Sequence, residues 1–440
     1  MKTYQSRLNV KKSLRLSVMD GAAFAAMMGF TQSYITPFAL AFKATTAQIG
    51  LLTSIPNITM AISQLAAPNL AKRAGSRKGL ILPMVFMQAF LWLPILLLPY
   101  VYSSGEVWWL IVFMTVGTVF GAFANPAWGS MMADLVPEEF RGRYFSFRGR
   151  IAGVITLVFT LIAGGILELF TNQGFIGFAI IFGGALVFRM LSAFFLSRMY
   201  EPPLPREKEN VPGIFDLFKN LGTSNLGRFT LFVALIMFAQ SVAGPFFAVF
   251  MIRDCNFSYV SYMFVISAST ISTFFFQPFW GRRADKAGNI KVIKMTAILL
   301  PFVPLVWLGS YNVFYLFCAN IFSGFAWSGF NLAAVNFVYD ASEPAARTKQ
   351  IAVFNSITGL ALCLGSLIGG YIAPHLPALF GFELRSLFTI SGALRGLVVI
   401  FLLRAIYEVR HVPKIDSMKL LLGRSPSKRK TRRNKDEHIQ

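Results

Sequence analysis

Charge is what this sequence has least of. Only 14% of its 440 residues are Asp, Glu, Lys or Arg, where an ordinary soluble domain carries roughly 25%. Acid is scarcer still, with 19 Asp and Glu against 41 Lys and Arg. Three cysteines, Cys255, Cys318 and Cys363, are too few and too scattered for a disulfide or metal framework. The three histidines, His375, His411 and His438, are equally dispersed, and no H-E-x-x-H pair occurs. There is no Gly-Lys dipeptide, which excludes a P-loop and with it a built-in ATPase. An enzyme is therefore not expected, nor a metal or any other cofactor.

What is there is apolar. Hydrophobic residues make up 55% of the chain, and Phe alone occurs 46 times. Such a surplus needs a solvent other than water, and a helix crosses a bilayer with roughly 20 apolar residues. Twelve such stretches are expected, near 16–42, 48–71, 79–101, 107–133, 145–170, 174–199, 226–252, 257–280, 292–310, 312–339, 350–374 and 384–407. They must be helices, because lipid leaves the backbone to satisfy itself. The first apolar run is too long for a signal-peptide core and is read as a retained helix.

The net charge of +22 raises the question of nucleic acid, and its placement answers it. Lys11, Lys12 and Arg15, then Lys72, Arg73, Arg77 and Lys78, then Arg141 and Arg143, lie at alternate helix ends. Arg282, Arg283, Lys286 and Lys291 continue the series, as do Arg347, Lys349 and the C-terminal tail. The opposite loops hold only Lys43, Arg253 and Arg385. This positive-inside pattern puts both termini in the cytoplasm. The basic run from Arg424 to Lys435 is expected to be disordered and to rest on anionic lipid rather than to bind nucleic acid.

A break rich in Pro and charge, 200–225, divides the spans six and six. It separates an N-terminal bundle, 16–199, from a C-terminal one, 226–407. A basic stretch, 1–15, and a basic tail, 408–440, flank them. Ile214, Phe215, Leu217, Phe218 and Leu221 within the break have helical spacing, which suits a short helix on the membrane surface. The two bundles repeat each other. Phe30, Gln32, Ser33, Pro37 and Phe38 recur as Phe238, Gln240, Ser241, Pro245 and Phe246, an offset of 208. Asn125, Asp134, Arg141, Arg189 and Arg198 recur as Asn331, Asp340, Arg347, Arg395 and Arg404, an offset of 206. Matches in chain order with loop-sized changes of offset signal internal duplication. The fold class expected is an all-α membrane protein of twelve transmembrane helices in two parallel six-helix repeats, with a site at their interface.

The loop after span 8 reads Gly281-Arg282-Arg283-Ala284-Asp285-Lys286-Ala287-Gly288-Asn289-Ile290-Lys291. It resembles the loop signature G-x-x-x-D-[RK]-x-G-x-x-[RK] of the major facilitator superfamily. The first-half copy, 68–78, keeps the second Gly, Gly75, but has Pro68 for the first Gly and Lys72 for the Asp. Asp134 to Gly142 resembles the family's D-x-x-P-x-x-x-R-G segment, and Asp340 to Arg347 is a weaker copy. The resemblance spans 10–407. It implies that Gly281, Asp285, Lys286 and Gly288, with Asp134, Arg141, Asp340 and Arg347, act in gating and not in substrate contact. Physically, an Asp beside arginines and at a helix N-terminus can pair and latch a gate. The plainer reading is a solvated turn that fixes topology.

Ionisable groups inside a span are costly, so they are functional candidates by default. Asp20 is a candidate for proton coupling, against a plainer role as a helix-end residue paired with Arg15 or a loop. Arg189 and Arg395 hold matching places in spans 6 and 12, where pairing with Asp134 and Asp340 is the simplest expectation and contact with an anionic substrate the alternative. The resemblance implies that spans 1, 4, 7 and 10 line the cavity. Gln32, Gln240, Asn125, Asn331 and Asn336 lie there, with Trp128 beside them. Amides offer donors and acceptors to a polar solute without a buried charge. Interhelical hydrogen bonding is the competing use. Pro37 and Pro245 are expected to break spans 1 and 7 close to the glutamines. The small-residue pairs Gly117/Gly121, Gly149/Gly153 and Gly365/Gly369 are expected to pack helices.

These readings converge on a secondary transporter of a small solute working by alternating access, with proton coupling in view and export favoured over uptake. A transport-inactive sensor or scaffold on the same fold is the alternative, kept open by the altered first-half loop. The expected partners are the solute, protons and membrane lipid. The chain is expected to be monomeric and to lie in a bacterial or archaeal plasma membrane.

Overall fold

The computed structural model describes residues 2–102, 104–137, 141–202, 224–342 and 347–410. The proposed surface helix at 214–221 and the tail beyond 410 lie outside the described residues. What is described is helical throughout, apart from one isolated bridge between Leu379 and Phe382.

Twelve rods follow one another. Span 1 is α1 (Lys2–Thr31) with α2 (Ile35–Ala41), and span 2 is α3 (Thr46–Ala74). Span 3 is α4 (Arg77–Phe90) with α5 (Trp92–Val101), and span 4 is α6 (Glu106–Leu135). Spans 5 and 6 are α7 (Arg141–Leu169) and α8 (Ile176–Ser197). The second half repeats this. Span 7 is α9 (Asn225–Ala243) with α10 (Phe246–Val249), and span 8 is α11 (Tyr259–Ala287). Span 9 is α12 (Asn289–Ala297) with α13 (Phe302–Val306), and span 10 is α14 (Val313–Ala341). Spans 11 and 12 are α15 (Arg347–Ile372) and α16 (Glu383–Leu402).

Among the described residues, ten of these rods are long and apolar enough to cross a membrane by composition alone. Spans 1 and 2 are enclosed by other helices, with span 1 against spans 5 and 6 and span 2 against spans 4 and 11. Helix α1 runs unbroken from Lys2 through the expected start of span 1 at residue 16.

The interruptions have a local cause. Proline has no N–H and its ring crowds the preceding turn. Pro37 leaves the Ser33 carbonyl without its helical donor, and span 1 turns at Gln32–Tyr34. Span 7 breaks at Gly244–Pro245 and resumes through a π-helical turn, Phe250–Asp254. Spans 3 and 9 are interrupted near Leu91 and Leu300.

Glycine decides how closely some helices approach. A Cβ on Gly369 would collide with the Val242 carbonyl, and one on Gly365 would lie 2.3 Å from the Phe238 carbonyl. Spans 11 and 7 therefore pack backbone to backbone there. Gly149 and Gly153 depart from expectation. Nothing lies within 4 Å of the Cβ either would carry, so neither packs a neighbouring helix.

Candidate functional site

The two halves meet through spans 2 and 11 and through spans 5 and 8. Their hydrogen bonds concentrate at one end, opposite the basic loops. The Tyr262 hydroxyl donates to the freed Ser33 carbonyl at 2.7 Å. Within the first half Tyr34 donates to the Thr160 carbonyl at 2.6 Å, and its ring packs against Tyr262 of the second half. Ser54 and Ser366 are 2.8 Å apart. Arg253 donates to the Thr46 hydroxyl, and the Val260 N–H donates to Glu168. Towards the basic end the inter-half contacts thin to a long bond from Ser356 to the Ala61 carbonyl at 3.4 Å. The described inter-half hydrogen bonds thus lie mostly at one end of the fold.

The expected cavity residues differ in exposure. Asn125 and Asn331 are exposed, as are their neighbours Gly129, Ser130, Val335 and Tyr339. An amide exposed in mid-span belongs against water and not lipid. Gln32 is exposed at the break in span 1, while Gln240 and Asn336 are half-buried. None of these five amides makes a side-chain hydrogen bond among the described residues, so interhelical bonding is not their use here.

The ionisable groups are paired differently from expectation. Arg189 does not meet Asp134. Its guanidinium donates to Gln88 Oε1 at 2.9 and 2.6 Å and to Ser192 at 3.1 Å. Ser192 in turn donates to Asp20 at 2.7 Å. Asp20 does not reach Arg15 either; its second oxygen faces Arg148 at 3.5 Å. The reason is geometric. Spans 1, 3, 5 and 6 converge, whereas Asp134 lies at the basic end of span 4. Arg395 has no acid near it among the described residues. It is 1% exposed and donates to the Leu300 carbonyl at 3.0 Å, a carbonyl whose helical donor would have been Pro304.

The first-half cluster opens into a cleft of about 120 Å³ lined by Asp20, Phe24, Asn125, Trp128, Arg148 and Arg189. Arg148 lies over the Trp128 ring at 4.4 Å. Arg148 was not legible as a site residue, because a basic residue near the start of span 5 reads as an end charge. The helix actually begins at Arg141, which places Arg148 two turns inside.

At the basic end the same device appears twice. Asp134 pairs with the buried Arg77 at 2.5 Å, and Glu201 accepts from the Arg77 backbone N–H and the Ser76 hydroxyl. In the second half Asp340 accepts from Asn289 at 2.7 Å, and Glu408 accepts from the Ile290 N–H at 2.8 Å. Each glutamate thus sits at a helix N-terminus, where the dipole favours negative charge. Gly75 and Gly288 both turn through positive φ, 61° and 88°, just before those helices. Arg410 stands 3.9 Å from Asp340. Asp285 and Lys286 are exposed, and Asp285 makes no ion pair among the described residues. Gly281 lies against Leu332. The side chains of Arg141 and Arg347 lie outside the described part. Glu201 and Glu408 escaped sequence reading because their partners are more than a hundred residues away.

Two helical bundles related by duplication and meeting through spans 2, 5, 8 and 11 are the architecture of a membrane transport protein. The family model described as Major Facilitator Superfamily matches residues 21–237 and again 229–435, and the chain belongs to that superfamily. No curated protein matches the sequence. Among solved structures, a mutant of the nucleoside transporter NupG superposes with a TM-score of 0.72 at 14% identity, covering 90% of this chain and 100% of that one. A POT family peptide transporter gives 0.70 at 11%, covering 92% and 99%. A D-xylose–proton symporter gives 0.68 at 14%, covering 91% and 98%. At these identities the likeness is one of fold.

Proposed function

We propose that this chain is a secondary active transporter that carries a small solute by alternating access, caught open at its basic face. The observation that carries the reading is the asymmetry of closure. Tyrosine and serine bonds join the halves at one end, while unpartnered amides, Asn125 and Asn331, are exposed at mid-span. A rigid-body rocking of the halves would exchange the two ends. The positive-inside pattern makes the open face cytoplasmic and supports a plasma membrane. Aromatic, apolar walls with few charges suit an amphipathic solute and favour export over uptake. Asn125, Asn331, Gln240 and Gln32 are the proposed solute contacts, with Asn336 and Trp128 beside them.

Asp20 is the proposed coupling group. It is buried within a span, and the charged or titratable side chains facing it are Arg148 and Tyr144 from span 5 and Arg189 from span 6. Protonating it would loosen Arg148. The gating role falls to the paired ends, Arg77–Asp134 with Glu201 and Asn289–Asp340 with Glu408, with Asp285 and Lys286 reserved for the opposite state. The test is flux in proteoliposomes against a compound panel, with and without a pH gradient. Gradient-stimulated flux that Asp20→Asn uncouples is the expected result. Binding without flux of any compound would assign the chain to a transport-inactive sensor instead.

A further inference from the structure

We propose that the cleft within the first half is a carboxylate subsite, with Arg148 as its anchor, which makes the transported solute an organic monoanion. The argument starts from the donors left over. Arg189 is largely committed, since its Nε and both Nη atoms each already have a partner in Gln88 or Ser192. Arg148 is not spent. It gives Nε to the Ser17 carbonyl at 3.0 Å and reaches Asp20 at 3.5 Å, too long for a firm charge-assisted bond, and its other Nη has no partner. The Trp128 indole N–H is buried without a partner. The Asn125 amide is exposed and unbonded on the same wall. The three residues that carry these unspent donors line one cleft.

The acceptors tell the same story from the other side. Asp20 is the carboxylate of the cleft, and one of its oxygens is already held by Ser192. Counting Arg148 and Arg189 against Asp20 leaves one positive charge. A site with spare donors and a single spare positive charge fits one carboxylate better than a phosphate dianion. The volume agrees, since about 120 Å³ is the share of about four water molecules, enough for a carboxylate and a few attached atoms. The Phe24 and Trp128 rings offer flat apolar surface to whatever the carboxylate is attached to. Asp20 and the ligand would then compete for Arg148. This use of the site rests on the transport reading; the binding itself does not.

The experiment is calorimetry on the purified full chain with benzoate, the isosteric benzamide and inorganic phosphate as probes. Benzoate should bind at least about tenfold more tightly than benzamide, as a charge-assisted pair requires. Arg148→Gln should erase that preference and Arg148→Lys should keep part of it. Should Arg148→Gln fail to fold, Asn125→Ala and Trp128→Phe serve instead, because each removes one donor and leaves the ion cluster whole. Each should weaken benzoate several-fold, and Trp128→Phe should also abolish the benzoate-induced change in tryptophan emission. Equal binding of benzoate and benzamide, tighter binding of phosphate, or benzoate binding unchanged by these substitutions overturns the proposal. Flux of neutral solutes without benzoate binding would remove this site and leave the transporter. Benzoate binding without flux of any solute would do the reverse.

Discussion

Asp134 and Asp285 carry the same charge at matching ends of the two halves and face opposite fates when substituted. Asp134 neutralises Arg77, whose side chain is 1% exposed. Removing one member of a buried pair leaves the other charge uncompensated, a cost of roughly 3–5 kcal/mol in full burial and less here, since Asp134 is about a third exposed. Asp134→Asn should therefore lower the melting temperature by several degrees and cut flux more than tenfold. Asp285→Ala removes an exposed side chain with no ion pair in this state, so its melting temperature should stay near that of the parent. If its flux collapses as well, Asp285 pairs only in the alternate state; unchanged flux would make it a surface charge. Gly288 allows a second test at this scale. Its φ of 88° is strained for any L side chain, and an added Cβ would run into the Glu408 carboxylate. Gly288→Ala should cost about 1–3 kcal/mol, read as a lower melting temperature, and should detach Glu408 from the Ile290 N–H.

Helix breaks set the next scale. Pro37 frees a carbonyl on span 1, and span 8 of the other half takes it up through Tyr262. A break within one half thus becomes a bond between halves. Tyr262→Phe removes that bond and nothing else of similar size. A buried hydrogen bond contributes about 0.5–1.5 kcal/mol net, so the shut end should open in a population larger by several-fold. Spin labels placed across that end, at Gln48 and Pro377, should show a longer-distance component growing in the variant. An unchanged distance distribution would mean that Ser54–Ser366 and the backbone packing at Gly50 and Gly370 hold the end alone. The proline breaks were legible in the sequence, because a missing N–H is a local property. The tyrosine that answers Pro37 was not, because it lies 229 residues from the Ser33 carbonyl it bonds.

At the scale of the molecule, alternating access makes a statement about water. In a cysteine-free background, a Cys at Asn331 or Val335 should react with a membrane-impermeant thiol reagent applied at the basic face. A Cys at Ser366, which is fully buried against Ser54, should stay protected. A reporter near Ser104 should read as external and one near Lys291 as cytoplasmic. The reverse pattern would invert the topology and with it the assignment of the open face. Twelve rods, two repeats and the place of the basic loops could all be read from the chain. Each follows from hydropathy, charge or duplication, which are properties of segments. The same reading erred on Gly149 and Gly153, where segment properties say nothing about what lies opposite.

The sequence by itself determined that this protein is a duplicated bundle of membrane helices with polar amides at mid-span. Apolar length and proline chemistry act along the chain and need no partner. Only the tertiary structure decided which charge meets which. Arg189 went to Gln88 and Ser192 instead of Asp134, Arg148 entered the cleft, Glu201 and Glu408 capped distant helices, and the halves closed at one end. In an apolar interior each buried charge settles on the nearest polar group that helix crossing brings to it, and crossing is a property of the assembled bundle.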